Sequence, residues 1–349
     1  MKLNEYVNLE TLAELIENGY VSCKTHNEFP LRIYNYTKRA SSLGFNRWPG
    51  TLERCRGLII DDQDNIIAHG LRKFWNYEEG DDKGMSFSVY DKVDGSIGIV
   101  YQWNDQVYIS TRGSFHSEMA DWANDFLDKH PEYREFLRAP IVGDTQWYTP
   151  HVEIVYNDNR IVVDYDYEDL VLLGYNDEHS WTPAMHEWHY PGRKAQKFSF
   201  ESMSELLEAD ARPGAEGFVI QFEDGSMKKI KYYDYLTLQR AIMNMTEKAI
   251  YNKLIVSEQE LNEWILGLPN ELQPEAYAIR DDLKKQRLAK TREFCEHYIQ
   301  VHRMNLSRKE LALYMEEHKW PGWIRSAAFT QMDKAYHRTN DTIWKQIKP

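Results

Sequence analysis

The stretch Tyr90-Asp91-Lys92-Val93-Asp94-Gly95 places a lysine two residues before an acid and a glycine. Apolar runs at residues 85–90 and 96–102 flank it and predict two strands. A lysine amine attacks an electrophile only when neutral, and its reference pKa of about 10.4 leaves very few lysines neutral at pH 7. Burial or neighbouring cations lower such a pKa. Without them, a lysine in a strand-turn-strand segment is an ordinary solvated turn residue.

Other elements rich in cations, acids and glycine surround this lysine along the chain. In order they are Glu53-Arg54-Cys55-Arg56-Gly57, Lys73-Phe74-Trp75-Asn76, Arg112-Gly113-Ser114, His151-Val152-Glu153-Ile154, Asn159-Arg160-Ile161-Val162, Glu216-Gly217-Phe218-Val219 and Lys229-Ile230-Lys231. This order resembles the signature of the covalent nucleotidyltransferases, in which K-x-D-G is followed by R-G-S, a strand glutamate, E-G-hydrophobic-V and K-hydrophobic-K. The C-R-G, K-F-hydrophobic-N and N-R-I-V elements make the chain most similar to the ATP-dependent RNA ligases of the bacteriophage RNA ligase 1 type. The resemblance covers about residues 50–235.

The resemblance implies a three-step reaction. Lys92 would attack the α-phosphorus of ATP, the AMP donor, to give a lysyl-AMP phosphoramidate and pyrophosphate. The AMP would then pass to an RNA 5′-phosphate, and a 3′-hydroxyl would displace it to form a phosphodiester. Each step is an in-line phosphoryl displacement, so cations that neutralise charge should dominate the site.

The resemblance also implies roles for individual residues. Lys229 and Lys231 would contact the α-phosphate and lower the pKa of Lys92. Four further residues would bind the nucleotide: Arg56 and Lys73 its phosphates, and Arg112 and Glu153 its ribose hydroxyls. Glu216, with Asp94 through water, would hold Mg²⁺ or Mn²⁺, because these cations prefer carboxylate and water oxygens. The nucleotide-binding set is completed by Gly95, and the catalytic set is Lys92, Glu216, Lys229 and Lys231.

Some neighbouring residues have simpler interpretations. Lys228 alternates along a strand with Lys229, so it should point to the opposite face. Of Arg54 and Arg56, only Arg56 is expected to line the site. His179, His186 and His189 lack nearby cysteines and the spacing of a helical zinc motif, which favours loop histidines. The adenine platform is left open among Val155, Leu172 and Tyr175.

Composition predicts a soluble enzyme. The 349 residues are 42% hydrophobic and 13% aromatic, enough for the cores of two domains. No apolar run reaches the length of a membrane helix, and the first residues lack the apolar core of a signal peptide. Cys23, Cys55 and Cys295 are odd in number and widely spaced, so reduced thiols are expected. A cytoplasmic protein is therefore predicted, in the host cytoplasm if the chain is phage-encoded, with a monomer as the default state.

The formal charge of −13 is unevenly distributed. Residues 280–349 carry 15 Lys and Arg against 9 Asp and Glu, a net +6, which leaves −19 for residues 1–279. Phosphate binding draws on lysine and arginine, so this basic segment permits contact with RNA. A basic run is also what a solvated helix face looks like, and the sequence leaves both interpretations open.

Strand and helix signals divide the chain into two domains. Short strand signals separated by Asn, Asp and Gly turns fill residues 50–235, with one predicted helix over 116–129. After residue 235 the pattern turns helical, and Ser257-x-x-Glu260 and Ser307-x-x-Glu310 predict capping boxes. The predicted class is α+β: an antiparallel-sheet, ATP-grasp-like nucleotidyltransferase domain at residues 1–240, then an all-helical domain at 241–349 with a possible role in RNA binding.

The helical tail separates the candidate functions. DNA ligases and capping guanylyltransferases resemble the same core but attach a small β-barrel, for which no strand series is present here. The sequence therefore predicts an RNA ligase that acts on 5′-phosphate and 3′-hydroxyl ends. The alternatives are another covalent nucleotidyltransferase, such as a guanylyltransferase or a DNA ligase, and a nucleotide-gated RNA-binding protein without turnover.

Overall fold

A computed structural model describes residues 1–44, 47–79, 84–138, 148–176, 181–184, 189–270, 272–347 and 349. These residues form two compact units, Met1–Leu236 and Thr237–Pro349. The division falls a few residues before the predicted boundary after residue 240. His179 and His186 lie outside the described residues.

The strands all belong to the first unit. They are β1 Val21–Thr25, β2 Leu31–Tyr36, β3 Arg56–Asp61, β4 Ile66–Ala68, β5 Trp75–Asn76, β6 Phe87–Asp91, β7 Ser96–Trp103, β8 Gln106–Thr111, β9 Thr149–Val155, β10 Asp169–Asn176, β11 Trp181–Pro183, β12 Lys197–Phe198, β13 Gly217–Phe222 and β14 Met227–Lys231. The helices of this unit are α1 Leu3–Tyr6, α2 Leu9–Glu17, α3 Lys38–Ser41, α4 Gly50–Arg54, α5 Glu118–Lys129, α6 Pro131–Arg138 and α7 Met203–Glu208. A 3₁₀ turn covers Asn157–Asn159.

Three sheets build the first unit. Their strand orders are β1-β2-β3-β4, β11-β10-β9-β7-β8 and β12-β6-β13-β14-β5. All neighbouring strands are antiparallel except β14 and β5. The predicted α+β class with mainly antiparallel sheets is confirmed.

Strand β6 belongs to the third sheet and β7 to the second, so the turn that carries Lys92 connects the two. The second sheet is covered by α5 and α6, where Ala123, Leu127 and Leu137 pack against Val107 and Ile109. The first sheet supports the second through a shared core that includes Ile33, Ile59 and Ile99. This packing makes the Lys92 turn a rigidly supported junction between sheets.

The structure adds helices that the sequence analysis did not predict. The helix expected over 116–129 is α5, whose N-cap Ser117 accepts a hydrogen bond from the Ala120 amide. Helices α1, α3 and α4 have four or five residues each, and α7 has six. Segments this short do not complete the two turns from which a helical period can be read.

The second unit is helical throughout its described residues. Its helices are α8 Tyr233–Asn244, which begins in the first unit, α9 Glu247–Val256, α10 Glu258–Leu266, α11 Gln273–His302, α12 Arg308–Glu317, α13 Gly322–Met332 and α14 Tyr336–Trp344. Ser307 and Glu310 form the predicted reciprocal capping box at α12. At α10, Ser257 accepts a hydrogen bond from the Glu260 amide. None of the helices in the described parts of the chain is long and apolar enough to cross a membrane.

Candidate functional site

The Lys92 turn is fixed by hydrogen bonds on both sides of the lysine. The Lys92 amide donates to the Gly217 carbonyl at 3.1 Å, which continues the pairing of β6 with β13. Two residues later, the Asp94 amide donates to the Tyr165 hydroxyl at 2.9 Å. The backbone of the turn is therefore held at both ends.

Glycine is required at position 95 because the backbone of β9 lies directly beside it. A Cβ atom at Gly95 would lie 2.6 Å from the Ile154 carbonyl oxygen and 3.0 Å from Cγ of Glu153. Neither distance is compatible with a side chain. Gly95 thus allows the strand after Lys92 to approach the strand that carries Glu153.

Glu216 bridges two of the predicted catalytic lysines. Its Oε2 lies 2.6 Å from Nζ of Lys92, and its Oε1 lies 2.8 Å from Nζ of Lys231. The Glu216 side chain is only 3% exposed, whereas those of Lys92 and Lys231 are 21% and 18% exposed. The Lys92 side chain is therefore partly exposed and is at the same time paired with a buried carboxylate.

Lys229 lies in a strongly positive environment. Burial lowers its pKa, and repulsion from Lys73, Lys92 and Lys231 lowers it further, to about 7. Its Nζ is 5.8 Å from the centre of the Phe74 ring. The predicted lysines are thus brought together around Lys92, and burial with repulsion makes Lys229 a lysine that changes charge near neutral pH.

Glu153 carries a half-buried carboxyl group beside Lys92. Burial raises its pKa to about 8, an effect that Glu216 and Asp94 reinforce and Lys92 opposes. At pH 7 this carboxyl is mainly protonated, so it can both donate and accept a hydrogen bond. Such a group is suited to a hydroxyl ligand.

Arg112 lies with other cations at Tyr36. Burial alone would raise the pKa of Tyr36, but the charges of Arg56, Arg112 and Lys73 outweigh it and lower that pKa. Arg112 donates a hydrogen bond to the Tyr36 hydroxyl, and its guanidinium carbon is 4.5 Å from the centre of that ring. Arg112 is thereby grouped with Arg56 and Lys73, the two residues expected to bind phosphate, and the predicted ribose role of Arg112 stays a prediction.

Asp94 has protein partners for both carboxylate oxygens. Its Oδ2 accepts hydrogen bonds from the amides of Val162 and Val163 at 2.9 and 2.8 Å. Its Oδ1 accepts one from the Tyr235 hydroxyl at 2.8 Å. Asp94 therefore ties the Lys92 turn to the segment after β9 and to the start of α8, and its predicted part in holding a metal stays a prediction.

A cavity of about 220 Å³ opens beside the Lys92 turn. Four predicted site residues line it, namely Arg56, Lys92, Gly95 and Glu153. Its apolar walls come from Leu71, Phe74, Tyr90, Ile97, Leu173, Trp181, Val219 and Met227.

The three residues considered as adenine platforms are not among those lining residues. Val155 and Leu172 belong to hydrophobic cores, and Tyr175 is buried against Tyr148. Leu173, the neighbour of Leu172 on β10, points to the opposite side and reaches the cavity. The residue of β10 that faces the cavity is thus Leu173, and the adenine platform stays open.

Arg54 and Lys228 have contacts away from this cavity. Arg54 closes α4 and donates to the Tyr6 carbonyl, and Lys228 donates to the Glu79 carbonyl. Tyr36 and Tyr235 were absent from the predicted set. No local motif marks either tyrosine, since each reaches the site through residues more than 70 positions away in sequence.

The carboxylates present could hold one hydrated divalent cation. Within the described residues no group of three or more His, Cys, Asp and Glu side chains is arranged to hold a metal. Mg²⁺, however, keeps several waters and commonly binds one or two carboxylates together with substrate phosphates. The buried Glu216 carboxylate fits that pattern, with its oxygens now occupied by Lys92 and Lys231.

Comparison with known families gives one match over the strand-rich unit. A family model described as RNA ligase matches residues 54–237. A viral protein named as a bifunctional polynucleotide kinase/RNA ligase, from Autographa californica nuclear polyhedrosis virus, is 24% identical over 255 residues. The alignment covers 65% of this chain but only 36% of the viral protein.

Solved structures resemble the chain more distantly. An archaeal ATP-dependent RNA ligase is 15% identical with a TM-score of 0.49, over 81% of this chain and 80% of that one. A Naegleria gruberi RNA ligase with pyrophosphate is 18% identical with a TM-score of 0.33, over 44% of this chain and 51% of that one. Neither likeness is close enough to identify a substrate.

Proposed function

The chain belongs to the RNA ligase family, whose model matches more than half of its residues, and on that premise we propose that it joins RNA 5′-phosphate and 3′-hydroxyl ends with ATP. Lys92 forms a covalent bond to AMP, the AMP moves to the RNA 5′-phosphate, and the 3′-hydroxyl displaces it. The protein acts in the cytoplasm as a monomer.

One observation carries this proposal: Lys92 lies at the cavity with its amine paired to a buried carboxylate and with further lysines beside it. A lysine needed only for solubility would be solvated. Here the Lys92 amine faces a carboxylate with which it forms an ion pair, and lysines that can neutralise a phosphate. The same carboxylate is the group that would bind a divalent cation, which would leave the Lys92 amine to face the phosphate together with Lys229 and Lys231.

The nucleotide is bound by two groups of residues. Arg56 and Lys73, beside Tyr36, bind the phosphates, because cations grouped in one place match a polyphosphate, and Arg112 in the same group keeps its predicted contact with the ribose hydroxyls. The α-phosphate lies between Lys92, Lys229 and Lys231. Glu153, protonated at neutral pH, hydrogen-bonds the ribose hydroxyls, and the apolar walls of the cavity hold adenine.

The residues that would hold Mg²⁺, or Mn²⁺ in its place, are Glu216 and, through water, Asp94. The cation would neutralise charge on the phosphates during displacement. Lys92 and Lys231, which pair with Glu216, bind the nucleotide phosphate. The protein side chains themselves bind the nucleotide, orient it and neutralise the charge of its phosphates.

The joining reaction tests this function directly. A labelled 5′-phosphorylated RNA and a 3′-hydroxyl RNA should be joined in the presence of ATP and Mg²⁺, and EDTA should stop the reaction. Equal joining of DNA ends would indicate a DNA ligase, and transfer of GMP to a 5′-diphosphate RNA would indicate a guanylyltransferase. Nucleotide binding with neither product would leave a binding protein without turnover.

Nucleotide binding should be coupled to proton uptake. At pH 8, Lys229 with its pKa of about 7 is mainly neutral in the ligand-free protein. A bound polyphosphate raises the pKa of Lys229. ATP binding should therefore be accompanied by the uptake of as much as about 0.9 proton by Lys229. Titration calorimetry of a non-hydrolysable ATP analogue, in buffers of different ionisation enthalpy, measures this number.

The matched control for that measurement is the neighbouring lysine. Lys229→Met should take up fewer protons than the wild type at pH 8, whereas Lys228→Met, which removes a lysine bonded to Glu79, should not differ from it. At pH 6, Lys229 is already protonated and the difference between variants should vanish. Equal uptake by all three proteins at pH 8 would contradict a phosphate contact at Lys229.

The helical unit contributes RNA affinity in this proposal. Several cations of its basic segment are engaged within the unit: Lys284 pairs with Glu258 at 2.5 Å, and Arg287 donates to Asn340 at 2.9 Å. Lys285 and Arg292 are exposed on the same helix, α11. These two are therefore the better candidates for phosphate contacts.

Neutralising Lys285 and Arg292 should weaken RNA joining but leave the adenylylation rate unchanged. For Lys285→Gln/Arg292→Gln, we expect the salt dependence of RNA joining to become shallower, by about 0.7 in log–log slope for each RNA phosphate that the side chains no longer neutralise. The control Lys24→Gln/Lys129→Gln removes the same charge from exposed positions of the first unit. Equal slopes for both variants and the wild type would show that the basic segment is a solvated face.

A further inference from the structure

Arg212 lies on the loop between α7 and β13 and is not part of any motif in the sequence. Its guanidinium makes three polar contacts. Nη2 donates to Oδ1 of Asp91 at 2.6 Å and to the Gly217 carbonyl at 3.1 Å, and Nε donates to the Tyr232 hydroxyl at 3.1 Å. One side chain therefore contacts three separate strand ends.

Each of these partners is adjacent in sequence to a predicted catalytic residue. Asp91 precedes Lys92, Gly217 follows Glu216, and Tyr232 follows Lys231. The strands concerned, β6, β13 and β14, are consecutive neighbours in one sheet. Arg212 thus contacts the backbone or neighbour of every residue in the Lys92–Glu216–Lys231 ion-pair group.

Arg212 packs on the face of the sheet that carries Phe218, whereas the next residue, Val219, lines the cavity, as Asp91 also does. Asp91 pairs with Phe218 across the ladder, and the Arg212 guanidinium carbon lies 4.8 Å from the Phe218 ring centre. Adjacent residues of a strand point to opposite faces, so Lys92 faces away from Arg212. Arg212 is absent from the lining of the cavity that Lys92 reaches.

Aromatic rings fix the guanidinium in place. Its central carbon lies 4.3 Å from the ring centre of Phe198 on β12 and 6.0 Å from that of Tyr232. Stacking restricts the planar group, and the ion pair with Asp91 fixes its direction. The Gly217 carbonyl that accepts from Arg212 also accepts the Lys92 amide at 3.1 Å.

We propose that Arg212 is a positioning residue for adenylylation, which holds Lys92, Glu216 and Lys231 in register from the reverse face of the sheet. The inference rests on the proposed function of the same site. Arg212 does not touch the nucleotide. Arg212 sets the distance between the Lys92 amine, which attacks, and the Glu216 carboxylate, which would bind the cation. A displacement of about 1 Å in such a geometry can cost on the order of a hundredfold in rate.

The test compares Arg212→Met with Arg193→Met. Arg193 is a matched control because it also stacks on an aromatic ring, 3.8 Å from the centre of Tyr167, and lies 3.6 Å from an acidic partner, Asp169. Single-turnover lysyl-AMP formation is measured at saturating ATP, with the KM for ATP and the thermal midpoint determined in parallel. All rates are taken well below the lowest midpoint.

We expect Arg212→Met to lower the maximal adenylylation rate on the order of a hundredfold, with the KM for ATP changed less than about threefold. Arg212→Lys should recover part of the rate, since an ammonium can keep the Asp91 contact. Asp91→Asn combined with Arg212→Met should be no slower than Arg212→Met alone, because both act through one contact. Arg193→Met should adenylylate at the wild-type rate.

Three results would overturn the proposal. The first is a maximal rate for Arg212→Met within about threefold of wild type, and the second is a loss equal to that of Arg193→Met. An effect confined to KM would also overturn it, because it would place Arg212 in nucleotide binding. These outcomes are distinct from failure of the proposed function, in which the wild-type protein itself would form no lysyl-AMP.

Discussion

Replacement of Lys92 by alanine should abolish both lysyl-AMP formation and the joining of 5′-phosphorylated RNA. No other group on the Lys92 turn can provide the attacking amine, so we expect loss to background. Lys92→Arg should be equally inactive, because a guanidinium remains protonated and cannot attack phosphorus. Labelling with α-³²P-ATP on a denaturing gel, together with an RNA-joining assay, measures both activities.

The same variant separates the steps of the reaction. RNA that is supplied already adenylylated needs no lysine nucleophile, so Lys92→Ala should still seal some of it. The Glu216, Lys229 and Lys231 side chains remain in place for that last step. Appreciable labelling of either Lys92 variant would show that another residue is the nucleophile.

Alanine at Lys229 or Lys231 should impair adenylylation and also the sealing of pre-adenylylated RNA. In the proposed function both lysines contact the phosphate on which charge develops, and removing one such donor costs about 10²–10³ in rate. Lys231 also pairs with Glu216 at 2.8 Å, so its loss frees that carboxylate as well. The rates of the two steps are measured separately under single-turnover conditions.

Lys228→Ala is the control for this pair, because Lys228 is on the same strand and contacts Glu79. It should keep both activities. If Lys229→Ala and Lys231→Ala sealed pre-adenylylated RNA at the wild-type rate, their proposed contact with the phosphate would be wrong.

Local sequence was sufficient for most strands between residues 50 and 235 and for the class of fold, whereas β1 and β2, which precede residue 50, were not predicted. Turn residues and β-branched runs marked β3, β8 and β13 nearly to their ends, because each of these strands is a short, largely buried apolar run bounded by turn residues. The order of charged motifs identified Lys92, Glu216 and Lys231, which the fold brings into direct contact.

Residues that act through distant contacts were not predictable in the same way. Tyr235 reaches Asp94 from 141 residues away, and Arg212 reaches Asp91 from 121 residues away. Neither has a repeating spacing or a neighbouring motif, and their significance arises only from the pairing of β6 with β13. The cavity wall on β10 is unpredictable for a related reason: Leu172 and Leu173 are chemically equivalent, and only the register of β10 decides that Leu173 faces the cavity.

The pKa values of the site residues also could not be predicted from the sequence. Resemblance implied that Lys229 and Lys231 lower the pKa of Lys92. The structure adds that the pKa of Lys229 is itself lowered to about 7, because this lysine is buried among Lys73, Lys92 and Lys231. Burial and repulsion depend on packing, which a linear motif does not specify.

The most direct test of the central claim is covalent labelling of the wild-type protein with α-³²P-ATP or α-³²P-GTP, followed by denaturing electrophoresis and peptide mapping. We predict one radioactive band with ATP and Mg²⁺, none with GTP, release of label by acid as expected for a phosphoramidate, and a labelled peptide that contains Lys92. Labelling by GTP, absence of any adduct, or label on a peptide without Lys92 would contradict the account.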